Sequence, residues 1–403
     1  MINLTLEKIL QCARLLSQVI LQNGGETQRV EDTINVIVSF AGMEANTFVV
    51  PTGITITVND NLGNERTIFV RMVKRSINLS KLDSANSISR LLSQNAIPID
   101  EAIDKTKELM ISGKKKYVQL SIAAGLSSGF FALMFGGMWI DFITVAVAGV
   151  IVQLISMSFK NENMFHFLIS LAGSFIIALF SVTAIWFFGI GNAAAAIAGG
   201  MMPILPGLAM VNAISDTING NLVSANARGS EAALVAVALA LGVSVVLSVY
   251  MPEMGTTPAQ VPFGYVCCFL ALIAFCVLFH VPKKGIILCA AIGTLGYAVF
   301  NMISPGNANL GYFSAAVLIA LCAEASARII KMPVTIFLIS AVIPIVPGLG
   351  LFYTMMHVVQ NEYLQALQTG AQAMINLAMI AVGFSLVSFA FKLLSSKYDK
   401  GVS

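Results

Sequence analysis

Asp216, Arg228 and Glu231 are the ionisable residues of one short stretch, "VNAISDTINGNLVSANARGSEA", set in a region otherwise almost empty of charge. Asn212, Asp216 and Asn219 recur at spacings of four and three, which puts them on one helix face. Asp216 is placed to bind a proton or the amino group of a substrate. Arg228 is the main candidate for the fixed cation that a second substrate carboxylate would need. Two readings of the stretch stay open. Ionisable groups within a membrane are functional candidates by default, and a solvated loop between spans would carry the same residues.

Directly before this stretch stands "PILPGLAM" (203–210), and 141 residues later stands "PIVPGLGL" (344–351). Pro203, Pro206 and Gly207 thus correspond to Pro344, Pro347 and Gly348. Each proline removes a helix hydrogen bond and crowds the preceding turn. In hydrocarbon such a break survives only beside protein or water, so it marks a cavity. The helix that restarts after it turns free N–H groups and the positive end of its dipole toward an anion, and a substrate carboxylate fits there. A packing kink is the simpler alternative. At the same offset Ala225 matches Ala366, Gly229 matches Gly370 and Ala232 matches Ala373. The second copy carries Tyr353, His357 and Gln360 where the first carries Asn212, Asp216 and Asn219, so the polar face persists while its chemistry changes.

The elements around these residues are set by composition. The 403 residues are 57% hydrophobic and 11% charged, with a mean hydropathy of +0.85. A soluble chain carries about 25% charged residues. Residues 1–117 hold 14 Lys+Arg and 12 Asp+Glu, and the remaining 286 residues hold 9 and 8. A soluble N-terminal domain therefore precedes a membrane body. The net charge of +3 is too small to suggest a nucleic-acid partner. The first twenty residues read as an amphipathic helix and lack the features of a secretory signal. Five of the six cysteines fall in apolar spans and read as small hydrophobes, with no metal site or disulfide. No cofactor is implied.

In the N-terminal domain, helices are expected over 3–22 and 27–42, then a β-hairpin from "TFVVPTGITITVND" and "ERTIFVRM", then two more helices, giving a small α+β domain. Glu26, Arg29, Glu31 and Asp32 cluster at a helix start, where acidic residues are favoured by the dipole whether or not they bind anything. No nucleophile–base arrangement is present, so no enzyme is expected.

Ten spans of about 20 apolar residues are expected in the body, near 118–135, 138–157, 165–187, 191–211, 228–250, 262–280, 285–303, 310–330, 334–356 and 370–393. Counted alternately from Lys114–Lys116, the nine basic residues of the body (Lys160, Arg228, Lys283, Lys284, Arg328, Lys331, Lys392, Lys397 and Lys400) all fall on one side. The positive-inside rule makes that side the cytoplasm, with both termini there. The expected domains are 1–117, a first five-span repeat at 118–257, and a second at 258–403. Five is odd, so the second repeat enters the membrane inverted, the layout of secondary transporters with broken helices at their sites. Glu324 and Arg328 are spaced for an i,i+4 ion pair or a gate. Asp141, beside Trp139, is expected at the outer interface. "GLSSG" (125–129) permits close helix contact. No G-x-x-x-x-G-K-[ST] is present for ATP, so an ion or substrate gradient is expected to supply the energy.

"GGETQRVEDTI" (24–34), "FVVPTGI" (48–54), "PILPGLAMVNAISDTINGNLVSANARGSEA" (203–232) and "AEASARIIKMPVTIFLISAVIPIVPGLGLFY" (323–353) resemble the threonine/serine exporter family. The resemblance runs along nearly the whole chain. It implies a cytoplasmic domain followed by ten spans, and export of small hydroxy amino acids driven by the proton-motive force. It adds weight to Pro203, Pro206, Gly207, Asn212, Asp216, Arg228, Glu231, Glu324, Arg328, Pro344, Pro347 and Gly348. The residues after Arg228 depart from the family's usual pattern. Relatives whose halves are separate proteins are implicated in succinate export, so a dicarboxylate exporter is the alternative. The partners implied are the small-molecule substrate, protons and membrane lipid, with a homo-oligomer left open. A sensor or enzyme on a membrane anchor would need one or two spans rather than ten.

Overall fold

The structure is a computed structural model that describes residues 2–60, 63–72, 76–112, 117–159, 165–218, 220–249 and 263–400. Lys114–Lys116, Lys160 and Asn219 lie outside the described residues. The chain divides into two units. One comprises Met1–Lys115 with two later segments, Asn219–Ala227 and Phe279–Pro282. The other comprises Lys116–Ile218, Arg228–Leu278 and Lys283–Ser403.

The first unit opens with α1 (Ile2–Gln22) and α2 (Thr27–Phe40). They are joined by a turn in which Gly24 has φ +97° and Gly25 is so close to Ile20 that a Cβ would lie 2.4 Å from its Cγ2. An antiparallel sheet follows, with strands β1 (Glu44–Val50), β2 (Gly53–Asn59) and β3 (Glu65–Arg71) in that order. The expected hairpin gains a third strand. "TFVVPTGITITVND" folds back on itself at Pro51–Thr52, where proline's fixed φ suits a turn, and Val50 pairs with Gly53. Helices α3 (Leu79–Ser93) and α4 (Ile99–Ile111) complete the unit. Asn78 caps α3 by accepting from the Lys81 amide. Leu16, Ile20, Ile34, Ile37, Ile54 and Ile56 are fully buried in its core, each worth about 1.5–3 kcal/mol on transfer from water.

The second unit is helical: α5 (Tyr117–Met134), α6 (Trp139–Ser158), α7 (Phe165–Phe188), α8 (Ala193–Met201), α9 (Gly207–Ile218), α10 (Leu222–Val249), α11 (Gly264–Leu278), α12 (Lys283–Ile303), α13 (Ala308–Ile330), α14 (Val334–Ala341), α15 (Gly348–Val359) and α16 (Tyr363–Lys400). The first residues of α10, through Ala227, belong to the first unit. Among the described residues seven helices are long and apolar enough to cross a membrane, or eight if one bent pair counts as a single span. Of the ten expected spans, 191–211 and 334–356 are broken at the proline motifs, as those motifs imply, so neither is one long helix. The expected 262–280 span holds only the 15-residue α11.

"GLSSG" forms a close seam between α5 and α6. A Cβ on Gly125 would lie 2.5 Å from the Ala146 carbonyl oxygen, and Gly149 approaches Ser128 and Gly125 from the other side. The element order from α8 onward recurs. Starts at 193, 202, 207 and 222 are matched at 334, 343, 348 and 363, each 141 residues later.

Candidate functional site

The two motifs break their helices in the same way. A 3₁₀ turn at Met202–Ile204 follows α8, and another at Ile343–Ile345 follows α14. Leu205 and Val346 are then extended, with ψ of 136° and 131°. Each precedes a proline, whose ring disfavours the helical conformation in the residue before it. Helices α9 and α15 restart at Gly207 and Gly348, and the second pair bends by 48°. The breaks lie inside protein, since Gly207, Pro344, Pro347 and Gly348 are buried while Pro203 and Pro206 are half-buried.

The motifs also pack on each other. A Cβ on Gly207 would stand 2.9 Å from Cγ1 of Val346, and one on Gly348 would stand 3.4 Å from Cδ1 of Leu205 and 3.1 Å from Sδ of Met202. Leu205 and Val346 are equivalent positions, as are Gly207 and Gly348. The contact is therefore reciprocal.

The charged part of the site sits elsewhere. Asp216 is in the last turn of α9, nine residues or about 13 Å along the axis from Gly207. A carboxylate there faces the negative end of the helix dipole. Burial adds to the difficulty, because its side chain is only 5% exposed. Arg228 on α10 answers both, with Nε 3.2 Å from Asp216 Oδ2 and its side chain 13% exposed. Asn212, one turn before Asp216 on the same face, is 6% exposed, and its Nδ2 donor has no hydrogen-bond partner among the described residues. The structure thus brings together Asn212, Asp216 and Arg228. Glu231 lies further along α10 and is exposed.

Residues 11–250 match the profile of a threonine/serine exporter family, and residues 264–390 match a second profile described as threonine/serine exporter. The chain belongs to the threonine/serine exporter family. It is 25% identical over 405 residues to the threonine/serine exporter of Corynebacterium glutamicum, covering 94% of this chain and 81% of that one. It is 22% identical over 244 residues to a probable threonine/serine exporter of Mycobacterium tuberculosis, covering 60% of this chain and 46% of that one. No solved structure matches.

Other residues of this family member fall at distinct places. Glu324 and Arg328 form an ion pair within α13, and the Arg328 guanidinium lies 4.4 Å above the Phe391 ring of α16. Tyr353 on α15 is 37% exposed and packs edge-on to Phe352. His357, the counterpart of Asp216, has Nδ1 2.7 Å from Oε2 of Glu362. Each hairpin of the exporter, α9–α10 and α15–α16, therefore carries an acid–base pair that starts in the last turn of its first helix. The Glu362 partner was not singled out from sequence; the left-handed Asn361 (φ 61°) folds it back to His357.

Asp141 was also under-read. It is 1% exposed, and its Oδ2 accepts from the amides of Met138 (2.7 Å) and Asn192 (3.0 Å). Asn192 in turn caps α8 through the Ala195 amide. Asp141 thereby ties the start of α6 to the helix that leads into the first break.

Proposed function

We propose that this chain exports threonine, serine and similar hydroxy amino acids across the cell membrane in exchange for protons, with both termini in the cytoplasm. The observation that carries the substrate reading is the buried Asp216–Arg228 pair with Asn212 one turn away. A zwitterion offers an ammonium to Asp216 and a carboxylate to Arg228, so it opens the pair by replacing each partner with its own complement. The desolvation cost of the two buried charges is met in both states. The unpartnered Asn212 Nδ2 donates to the substrate hydroxyl oxygen, and an analogue without that oxygen leaves the donor unsatisfied, at about 1–3 kcal/mol.

A proton on Asp216 removes the ammonium site. Protonation from outside then releases substrate, and loss of the proton to the cytoplasm restores the site. We further read residues 118–257 and 258–403 as two five-helix halves inverted in the membrane. The reciprocal Gly207–Val346 and Gly348–Leu205 contacts support this, because a contact that maps onto itself when the halves are exchanged is what a two-fold relation produces. Pro203, Pro206, Pro344 and Pro347 keep the two breaks rigid against each other, and the halves rock about that contact. A dicarboxylate has no ammonium to offer Asp216, so it does not open the pair by replacing both partners.

Counterflow in proteoliposomes tests the substrate class. Labelled threonine uptake is expected to be driven by internal threonine or serine at least tenfold better than by valine or succinate. Equal counterflow with succinate would overturn the reading.

A further inference from the structure

Ser128, the second serine of "GLSSG" on α5, is 1% exposed, and its hydroxyl bonds outside its own helix. Oγ donates to the Gly200 carbonyl of α8 at 3.1 Å, 72 residues further along the chain. A serine inside a helix can instead bond back to the carbonyl four residues before it. Ser121 on the same helix does so, with Oγ 2.9 Å from the Tyr117 carbonyl oxygen.

The acceptor explains the difference. Gly200 stands near the end of α8, just before the 3₁₀ turn at Met202–Ile204 that contains Pro203. In a continuous α-helix the Ile204 amide would bond the Gly200 carbonyl. A 3₁₀ turn moves each donor to the carbonyl three residues back, and Pro203 has no donor to offer. The Met202 amide serves Gly199, and the Leu205 amide serves Met201 (2.9 Å). The Gly200 carbonyl between those two is taken by Ser128, so a neighbouring helix restores what the break removes, as apolar surroundings demand. The packing is built around this bond. A Cβ on Gly199 would lie 2.2 Å from the Ala132 nitrogen of α5, and one on Gly149 of α6 would lie 2.9 Å from Ser128 Oγ. The two glycines let α5, α6 and α8 close around the hydroxyl.

We infer that Ser128 is a positioning residue, which closes the hydrogen-bond ladder at Gly200 and so fixes the angle at which the chain passes through the first break into α9. Asp216 lies about 13 Å along α9 from Gly207, so a tilt of about 10° at the break moves it by roughly 2 Å. That exceeds the tolerance of a hydrogen bond. The kinetic consequence rests on the substrate reading, and the structural one on the geometry of the helical unit alone.

Full-length Ser128→Ala in proteoliposomes tests it, with Ser121→Ala as the control that loses a hydroxyl bonded within its own helix. Ser128→Ala is expected to raise the half-saturation constant for threonine at least threefold while maximal rate stays within twofold, and Ser121→Ala to match the wild type. A variant that merely lowers the amount of folded protein lowers maximal rate and leaves half-saturation alone; that pattern, no change, or an equal rise in Ser121→Ala overturns the inference. Amide hydrogen exchange without substrate is the second readout. The Leu205 amide and those of 207–210 are expected to exchange at least threefold faster in Ser128→Ala and at the wild-type rate in Ser121→Ala. Unchanged exchange in Ser128→Ala overturns the inference. If wild-type protein moves no threonine, the substrate reading fails and the exchange readout alone decides the positioning role.

Discussion

Gly207 rests against Val346, so closely that a Cβ on it would lie 2.9 Å from Cγ1, and its counterpart Gly348 rests against Leu205. Val346 is β-branched and stiff at χ1, so it cannot swing aside for an added methyl. Gly207→Ala is therefore expected to lower threonine efflux at least tenfold at equal expression. Gly350→Ala serves as the control, because a Cβ there meets its nearest atom at an ordinary 3.6 Å. The double variant Gly207→Ala/Val346→Ala is expected to recover most of the lost efflux, since partners in contact are not additive.

Breaking the buried pair costs stability from either side. Asp216→Asn leaves Arg228 buried without its counter-charge, and Arg228→Gln leaves Asp216 at a helix C-terminus. Each is expected to destabilise by about 3–5 kcal/mol, the range for removing one partner of a buried ion pair. Thermal unfolding in detergent checks this. The double variant is expected to be more stable than either single one.

Much of this site was legible because its signals are local. Prolines at 203, 206, 344 and 347 announce a break through the chain's own covalent geometry, and Asn212 with Asp216 announces a face through helical period. The hydrogen bonds that Asn221 and Ser224 donate gave no such signal, because their acceptors on Thr27 and Val49 lie 194 and 175 residues away. Asp141 looked like an interfacial carboxylate for the same reason. The amide of Asn192 that it holds is 51 residues distant, and nothing in residue type marks a backbone donor. The third strand was missed where Pro51 sits inside a β-rich run, because the run's length concealed a two-residue turn. The stretches 191–211 and 334–356 carry the breaks that their prolines announce, so neither is one continuous helix.

Asn212 is expected to set the preference for a hydroxyl. Asn212→Ala removes the only donor that the reading assigns to that oxygen, so the preference for threonine over valine is expected to fall at least tenfold, through valine competing better. Competition of unlabelled valine against labelled threonine measures it.

Cys12 lies on the core face of α1 at 0% exposure, and burial pushes its thiol pKa up to about 12. Alkylation by iodoacetamide at pH 8.5 is expected to be negligible in the folded protein and complete in guanidinium. The folded state holds the thiol proton more tightly than the unfolded state, whose value is near 9. The stability contributed by Cys12 is thus fully present below pH 9 and declines as pH rises toward 12.

Efflux of labelled threonine from proteoliposomes, with an inward proton gradient imposed and then collapsed by a protonophore, tests the central claim most directly. Wild-type efflux is expected to rise at least tenfold with the gradient and to fall back on its collapse, while Asp216→Asn shows neither response. Wild-type efflux that ignores the gradient, or a gradient response that survives Asp216→Asn, would contradict it.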